Sequence, residues 1–237
     1  MAKCETANRE FRQFIPDHDS RTEDRHGYQF GRLDYDANKP EQPAVRVTWD
    51  DASAFCQWLS KRTGLLVKLP TEAQWEWSCR AGTTTPFWFG GLDADYSSFA
   101  NLGDKMLSQF AADTALDNYE TARPMSNPNR YDDWIPHDNR INDNGFIAEP
   151  VGKYQPNPWG LQDMHGNVWE WTRSASLPYP YRDNDGRNST DSDKGLRVVR
   201  GGSWYDRPKR CTSSSRLSYQ PWQRVFNVGF RVVCEDP

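Results

Sequence analysis

Apolar positions along the chain define three short helices and two late strands, with a long aperiodic stretch between them. Phe11, Phe14 and Ile15 fall on one face of a helix over Asn8 to Ile15, with Asn8 or Thr6 available to accept its first amide protons. Ala52, Phe55, Cys56 and Leu59 repeat at helical spacing behind Thr48-Trp-Asp-Asp51, a capping-box start, and Gly64 stands where a left-handed stop is needed. A third helix runs from Thr71, with Gln74 at the reciprocal position, through Trp75, Trp77 and Cys79 toward Gly82; Pro70 forbids an earlier start. Strands are expected at Arg197 to Arg200 and at Val228 to Val233. From 83 to 160 periodicity gives way to Gly, Pro, Asn, Asp and isolated aromatics, so that stretch must be held by something other than backbone ladders, bound cations and buried Trp being the candidates.

Composition narrows the class. The 237 residues are 36% hydrophobic and 14% aromatic with eleven Trp, which excludes disorder and fits one folded domain over 1–237. No apolar run reaches membrane-spanning length, and the N-terminus lacks a signal-peptide core, so the sequence as given reads as cytoplasmic, with no membrane partner. Five widely spread cysteines without a CxxC pair argue against a zinc site or a disulfide framework. Residues 91–149 hold eleven acids against four bases, which makes cation binding conceivable there, whereas 194–216 hold seven bases and one acid. With no nucleic-acid motif beside it, that basic run reads as a solvated face with structural Arg pairs.

Four segments occur in order: Leu69-Pro-Thr-Glu-Ala-Gln-Trp-Glu-Trp77, Asn157-Pro-Trp-Gly-Leu-Gln-Asp-Met-His-Gly-Asn-Val-Trp-Glu-Trp171, Arg200-Gly-Gly-Ser-Trp204 and Asn227-Val-Gly-Phe-Arg-Val232. Together they resemble the formylglycine-generating enzyme, or sulfatase-modifying factor, family from about Glu5 to Val233. The resemblance implies an α+β, C-type-lectin-like fold with a small antiparallel sheet, short helices and long calcium-stabilised loops. Family members carry further strands before the segment that begins here at Met1.

The resemblance also implies two calcium sites. One would use the side chains of Asp163 and Glu170 with the carbonyls of Gly166 and Val168, a mixture of carboxylate and backbone oxygens suited to calcium. The other would use Asn101, the carbonyls of Leu102 and Phe146, and Asn144 or its neighbour Asp143. His165 in the same loop reads as a neutral supporting group.

In the family, the Ser of Gly-Gly-Ser is followed by Cys at three and eight residues; the two thiolates hold one copper ion, activate oxygen and convert a substrate Cys to formylglycine. Here Ser203 is followed by Asp206 and Cys211, so one sulfur is replaced by a carboxylate, which does not select cuprous copper. Cys211 could be a reactive thiol, its pKa lowered by Arg207, Lys209, Arg210 and Arg216 if exposed, or an inert half-buried one.

Three functions follow from the resemblance. The first is a non-catalytic ligand-binding or accessory module. Its groove would be formed by Trp204, Tyr205, Asp206, Arg207, Arg210, Thr212, Ser214, Arg216, Tyr219 and Trp222, and it would take a peptide or protein ligand, a sulfatase among them. The second is a divergent oxidase working through Cys211 and Ser203 with copper; the third, a retroelement-diversified variable binding protein. Family branches that form sulfur–carbon bonds use iron on a preceding helical domain; no such domain is read in the sequence as given, which makes that function a lesser expectation.

Overall fold

The computed structural model describes residues 1–21, 36–110, 138–189 and 195–235. Thr48 caps α2 (Trp49–Thr63) by accepting from the amide of Asp51, whose carboxylate accepts from the Thr48 amide, and Gly64 ends it at φ 73°. Thr71 and Gln74 do the same for α3 (Glu72–Arg80), but its left-handed stop is Ala81, one residue before Gly82. The first helix is shorter than expected: α1 covers only Asn8–Phe11. Neither Thr6 nor Asn8 caps it; Glu10 accepts from the Ala7 amide, while the Asn8 amide group donates to the carbonyls of Ala37 and Lys39.

The main sheet has the order β4 (Arg216–Tyr219), β3 (Arg197–Arg200), β2 (Trp169–Ala175), β5 (Val228–Gly229), antiparallel except for the parallel pairing of β2 with β5. The strand expected over Val228 to Val233 is broken: β5 ends at Gly229, and β6 (Val233–Glu235) pairs with β1 (Leu66–Lys68) in a separate ribbon. The break has a physical cause. Arg231 turns fully inside, where its guanidinium meets both oxygens of Glu170 at 2.6 and 2.7 Å, and Phe230 enters the core.

Trp-Glu-Trp occurs twice with opposite outcomes, helical at 75–77 and extended at 169–171. The core gathers Phe11, Trp49, Phe55, Trp169, Trp171, Val199 and Phe230 between α2 and the sheet. Each deeply buried indole in it finds an acceptor: Trp49 donates to the Thr172 carbonyl at 2.8 Å and Trp171 to that of Val47 at 3.0 Å. Glu72, 1% exposed, receives Arg187 at 3.3 Å and Arg216 at 3.1 Å, with Arg200 at 4.0 Å, joining α3, β3, β4 and the 177–189 loop. Among the described residues, 83–110 and 138–160 hold no regular element beyond a 3-10 turn at Lys105–Phe110. Asn157 shows how such loops are kept, donating to the Ser78 carbonyl and accepting from the amides of Trp159 and Leu161.

Candidate functional site

Between β3 and β4 the chain makes a tight loop starting at Gly201 and Gly202, both at positive φ. Asp206 lies inside it, 4% exposed, and its Oδ2 accepts from Ser203 Oγ at 2.6 Å and from Trp169 Nε1 at 2.8 Å. Asn227, at the edge of β5, donates to Ser203 Oγ at 2.8 Å. Burial raises the Asp206 pKa, against the lowering pull of Ser203, Arg210 and Trp169. Trp169 and Asn227 belong to the four quoted motifs, yet sequence spacing alone assigned them no role; it is the sheet that brings residues 169, 203, 206 and 227 together.

The condition under which the basic neighbours of Cys211 would lower its pKa, exposure, is not met. The thiol is fully buried, and burial, reinforced by the Asp206 charge, pushes its pKa well above the normal thiol value. Its sulfur lies 3.6 Å from the Asp206 carbonyl and fills the space beside Gly202, where an added Cβ would come within 2.2 Å of it. A protonated, solvent-excluded thiol is a poor nucleophile. Beside it stands a carboxylate already accepting two hydrogen bonds, so the donor set does not fit a copper ion held by two thiolates. Cys79, also fully buried, faces His165 Nε2 at 3.5 Å, and His165 Nδ1 meets the Cys211 carbonyl at 2.7 Å. Burial pushes Cys79 up to about 12 and His165 down to about 4, so both are neutral and support the loop from behind. The reading of His165 as a neutral supporting group therefore matches its surroundings.

The expected groove residues divide into two sets. Trp204 is 3% exposed and packs with Val168, Leu107 and Phe226, so it faces the core and cannot contact a ligand, and Asp206 is likewise internal. Arg216 is turned toward Glu72 and stacks over Tyr179. Arg210 and Ser214 are exposed, and Tyr205, Arg207, Thr212 and Tyr219 are half-buried. Trp222, at 68% exposure, projects from the turn after β4. Burial and then the Asp206 charge raise the pKa of both the Tyr205 and Tyr219 hydroxyls.

In the loops expected to hold calcium, both oxygens of Glu170 are committed to Arg231, and Oε2 accepts from Trp75 as well. Asp163 Oδ2 accepts from the Gly152 amide at 2.5 Å, and its Oδ1 is buried. Glu5, fully enclosed beside it, also has a buried oxygen, and burial followed by the Asp163 charge raises its pKa. Two buried carboxyls thus lie side by side and share a hydrogen bond, with Glu5 rather than the expected Glu170 as the partner of Asp163. At the other site Asn144 is exposed, and the inward carboxylate is Asp143, which accepts from the amides of Leu102 at 2.8 Å and Gly145 at 2.6 Å. Asn101 Oδ1, Asp143 Oδ1 and the Tyr154 hydroxyl converge on Gly145, where a Cβ would meet each within 2.9 Å. Burial and then Asp104 push Asp143 up to about 7. Phe146 is half-buried, and the two loops join where the Asn167 amide donates to the Asn101 carbonyl. Gly166 lies against Asn101 so closely that a Cβ would overlap that carbonyl, and Val168 is buried behind it.

Short helices, a small curled sheet and long pinned loops define a mixed α+β protein of the C-type-lectin-like kind. The chain belongs to the family described as sulfatase-modifying factor enzyme 1-like, which it matches over residues 1–236. It is 31% identical over 202 residues to the bovine protein named inactive C-alpha-formylglycine-generating enzyme 2, covering 81% of this chain and 50% of that one. It is 30% identical over 197 residues to the formylglycine-generating enzyme of Streptomyces coelicolor, covering 81% and 52%. The chain thus spans about half the length of these curated relatives, and an inactive and an active protein resemble it equally. Among solved structures, PvdO from Pseudomonas aeruginosa aligns with a TM-score of 0.69 at 25% identity, covering 98% of this chain and 78% of that one. Treponema denticola variable protein 1 aligns at 0.67 and 20% identity, covering 97% and 82%, a likeness of fold. Among the described residues no helix is long and apolar enough to cross a membrane.

Proposed function

We propose that this chain is a ligand-binding or accessory module of its family, without the copper oxidase chemistry, and that its binding surface surrounds Asp206. One observation carries this reading: the carboxylate at position 206 is buried and hydrogen-bonded by Ser203 and Trp169 beside a buried, protonated Cys211. Groups that elsewhere in the family would serve a reacting thiolate are here consumed in holding an internal anion. Tyr205, Arg210, Thr212 and Ser214 on the loop and Tyr219 and Trp222 on β4 and the turn after it offer rings, a guanidinium and hydroxyls on a rigid frame, and Tyr, Trp and Arg are the side chains that dominate protein recognition. The ligand is a peptide or protein segment, a sulfatase being the candidate that family membership suggests. Calcium at Asp163 with Glu5, and at Asn101 with Asp143, would compensate the negative charge of these buried carboxylates.

The test uses the purified protein with Cu(I), oxygen and a peptide containing Cys-x-Pro-x-Arg, read by mass spectrometry and by fluorescence anisotropy. Peptide binding that weakens in Tyr219→Ala and Trp222→Ala, with the cysteine mass intact, is the expected result. Conversion of the cysteine to an aldehyde, abolished by Cys211→Ala, would overturn it.

A further inference from the structure

We infer that a polar cleft beside the proposed binding surface receives a phosphate or sulfate monoester group carried by the ligand. The inference rests on the ligand-binding reading above, because Thr212 and Ser214 border both places. The cleft, about 250 Å³, opens between the end of α3, the 84–92 loop and the 209–214 segment. Arg80 and Lys209 bring positive charge to it, Thr84, Thr212 and Ser214 bring hydroxyls, and no lining side chain is acidic. Such a lining is complementary to an anion.

The charge at Arg80 is only partly cancelled. Glu76 pairs with Arg80 at 2.8 Å but also with the buried Arg200, so one carboxylate serves two guanidiniums. Lys209 is exposed and its ammonium is free to swing over the cleft. Thr85 cannot donate to a ligand, since its hydroxyl donates to the Phe87 carbonyl at 2.6 Å. The remaining hydroxyls come from two segments, Thr84 from the loop after α3 and Thr212 with Ser214 from the 209–214 stretch, where the Thr212 hydroxyl also meets those of Ser215 at 2.8 Å and Ser214 at 3.4 Å. Cationic and hydroxyl groups drawn from α3, the loop after it and the 209–214 segment suit a tetrahedral oxyanion with three terminal oxygens better than a planar carboxylate with two. Pro86 and Leu92 give an apolar flank against which the carbon side of the ester can rest, and Leu92 is 47% exposed.

Isothermal titration of the whole chain with phenyl phosphate, phenyl sulfate and, as the planar control, benzoate tests this. Saturable binding of either tetrahedral ester, weakened about tenfold by Lys209→Gln and by raising salt from about 50 to 300 mM, is expected, with benzoate bound more weakly. The two esters run side by side tell which of them the cleft prefers. Lys209 and Ser214 are exposed, so Lys209→Gln and Ser214→Ala should melt as the parent does, and affinity changes in them report the cleft. No ester binding, equal binding of benzoate, or unchanged affinity in both variants would overturn the inference. If the esters fail while peptide still binds through Tyr219 and Trp222, only this inference falls; aldehyde formation on the peptide removes the ligand-binding reading instead.

Discussion

Ser203 Oγ donates to Asp206 Oδ2 at 2.6 Å, which holds the carboxylate inside the loop that also buries Cys211. The donors Trp169 and Asn227 complete a socket built around an anion. Asp206→Cys returns a second sulfur beside Cys211. We expect that variant to bind one equivalent of Cu(I), which the parent protein does not, with sulfur ligands visible by X-ray absorption. Equal copper uptake by parent and variant would mean that position 206 is not the deciding one.

Calcium should stabilise the fold in proportion to its occupancy. At about one hundred times its dissociation constant the gain is about 2.7 kcal/mol, read as a shift in urea midpoint between calcium and chelator. Asp163→Ala should remove that part of the shift, and Glu5→Gln should reduce it, because each takes a carboxylate oxygen from this buried pair. Without calcium, Asp163→Asn should cost little, since two neighbouring buried carboxyls then no longer compete for one proton.

His18 makes the fold sensitive to acid. Burial, then Arg12 and Arg224, push its pKa from 6.5 down to about 4, against the opposing pull of Asp51 and Asp19. The folded ring therefore stays neutral while the unfolded one takes a proton. Its contribution is complete above about pH 6.5 and is lost as pH falls toward 4, so the urea midpoint should drop across that window. His18→Gln, which keeps a partner for Ser20 Oγ at 3.1 Å, should flatten the drop.

Two tryptophans separate recognition from stability. Trp222 stands in solvent, and Trp222→Ala should change folding free energy by no more than about 0.5 kcal/mol while weakening ligand binding. Trp171 is fully buried with its indole bound to Val47, and Trp171→Ala should cost about 3–5 kcal/mol. Urea titrations and anisotropy on both variants check the contrast.

Helix signals written in a few neighbouring residues were legible: Thr48 with Asp51, Gly64, and Thr71 with Gln74 all act as their spacing predicts. Strand limits were not, because Val228 to Val233 reads as continuous until Arg231 finds Glu170, a partner 61 positions away. The candidate site was half legible. Counting from Ser203 located Asp206 and Cys211, but the basic residues around Cys211 in sequence gave no measure of its burial, and Trp204 looked like a contact residue until the fold turned it inward. Glu5 was missed for the same reason: a carboxylate near the start of a chain carries no local sign that Asp163 will be its neighbour.

Few ladder hydrogen bonds ordinarily let a fold loosen piecemeal. The convergence of Arg187, Arg200 and Arg216 on Glu72 argues otherwise, since four separate stretches of chain share one enclosed carboxylate. None can swing out without stranding charge in the interior of the others. Amide exchange at Arg187, Val199 and Leu217 should therefore proceed at one common rate, that of whole-molecule opening, giving this loop-rich fold the cooperativity of a far more regular one.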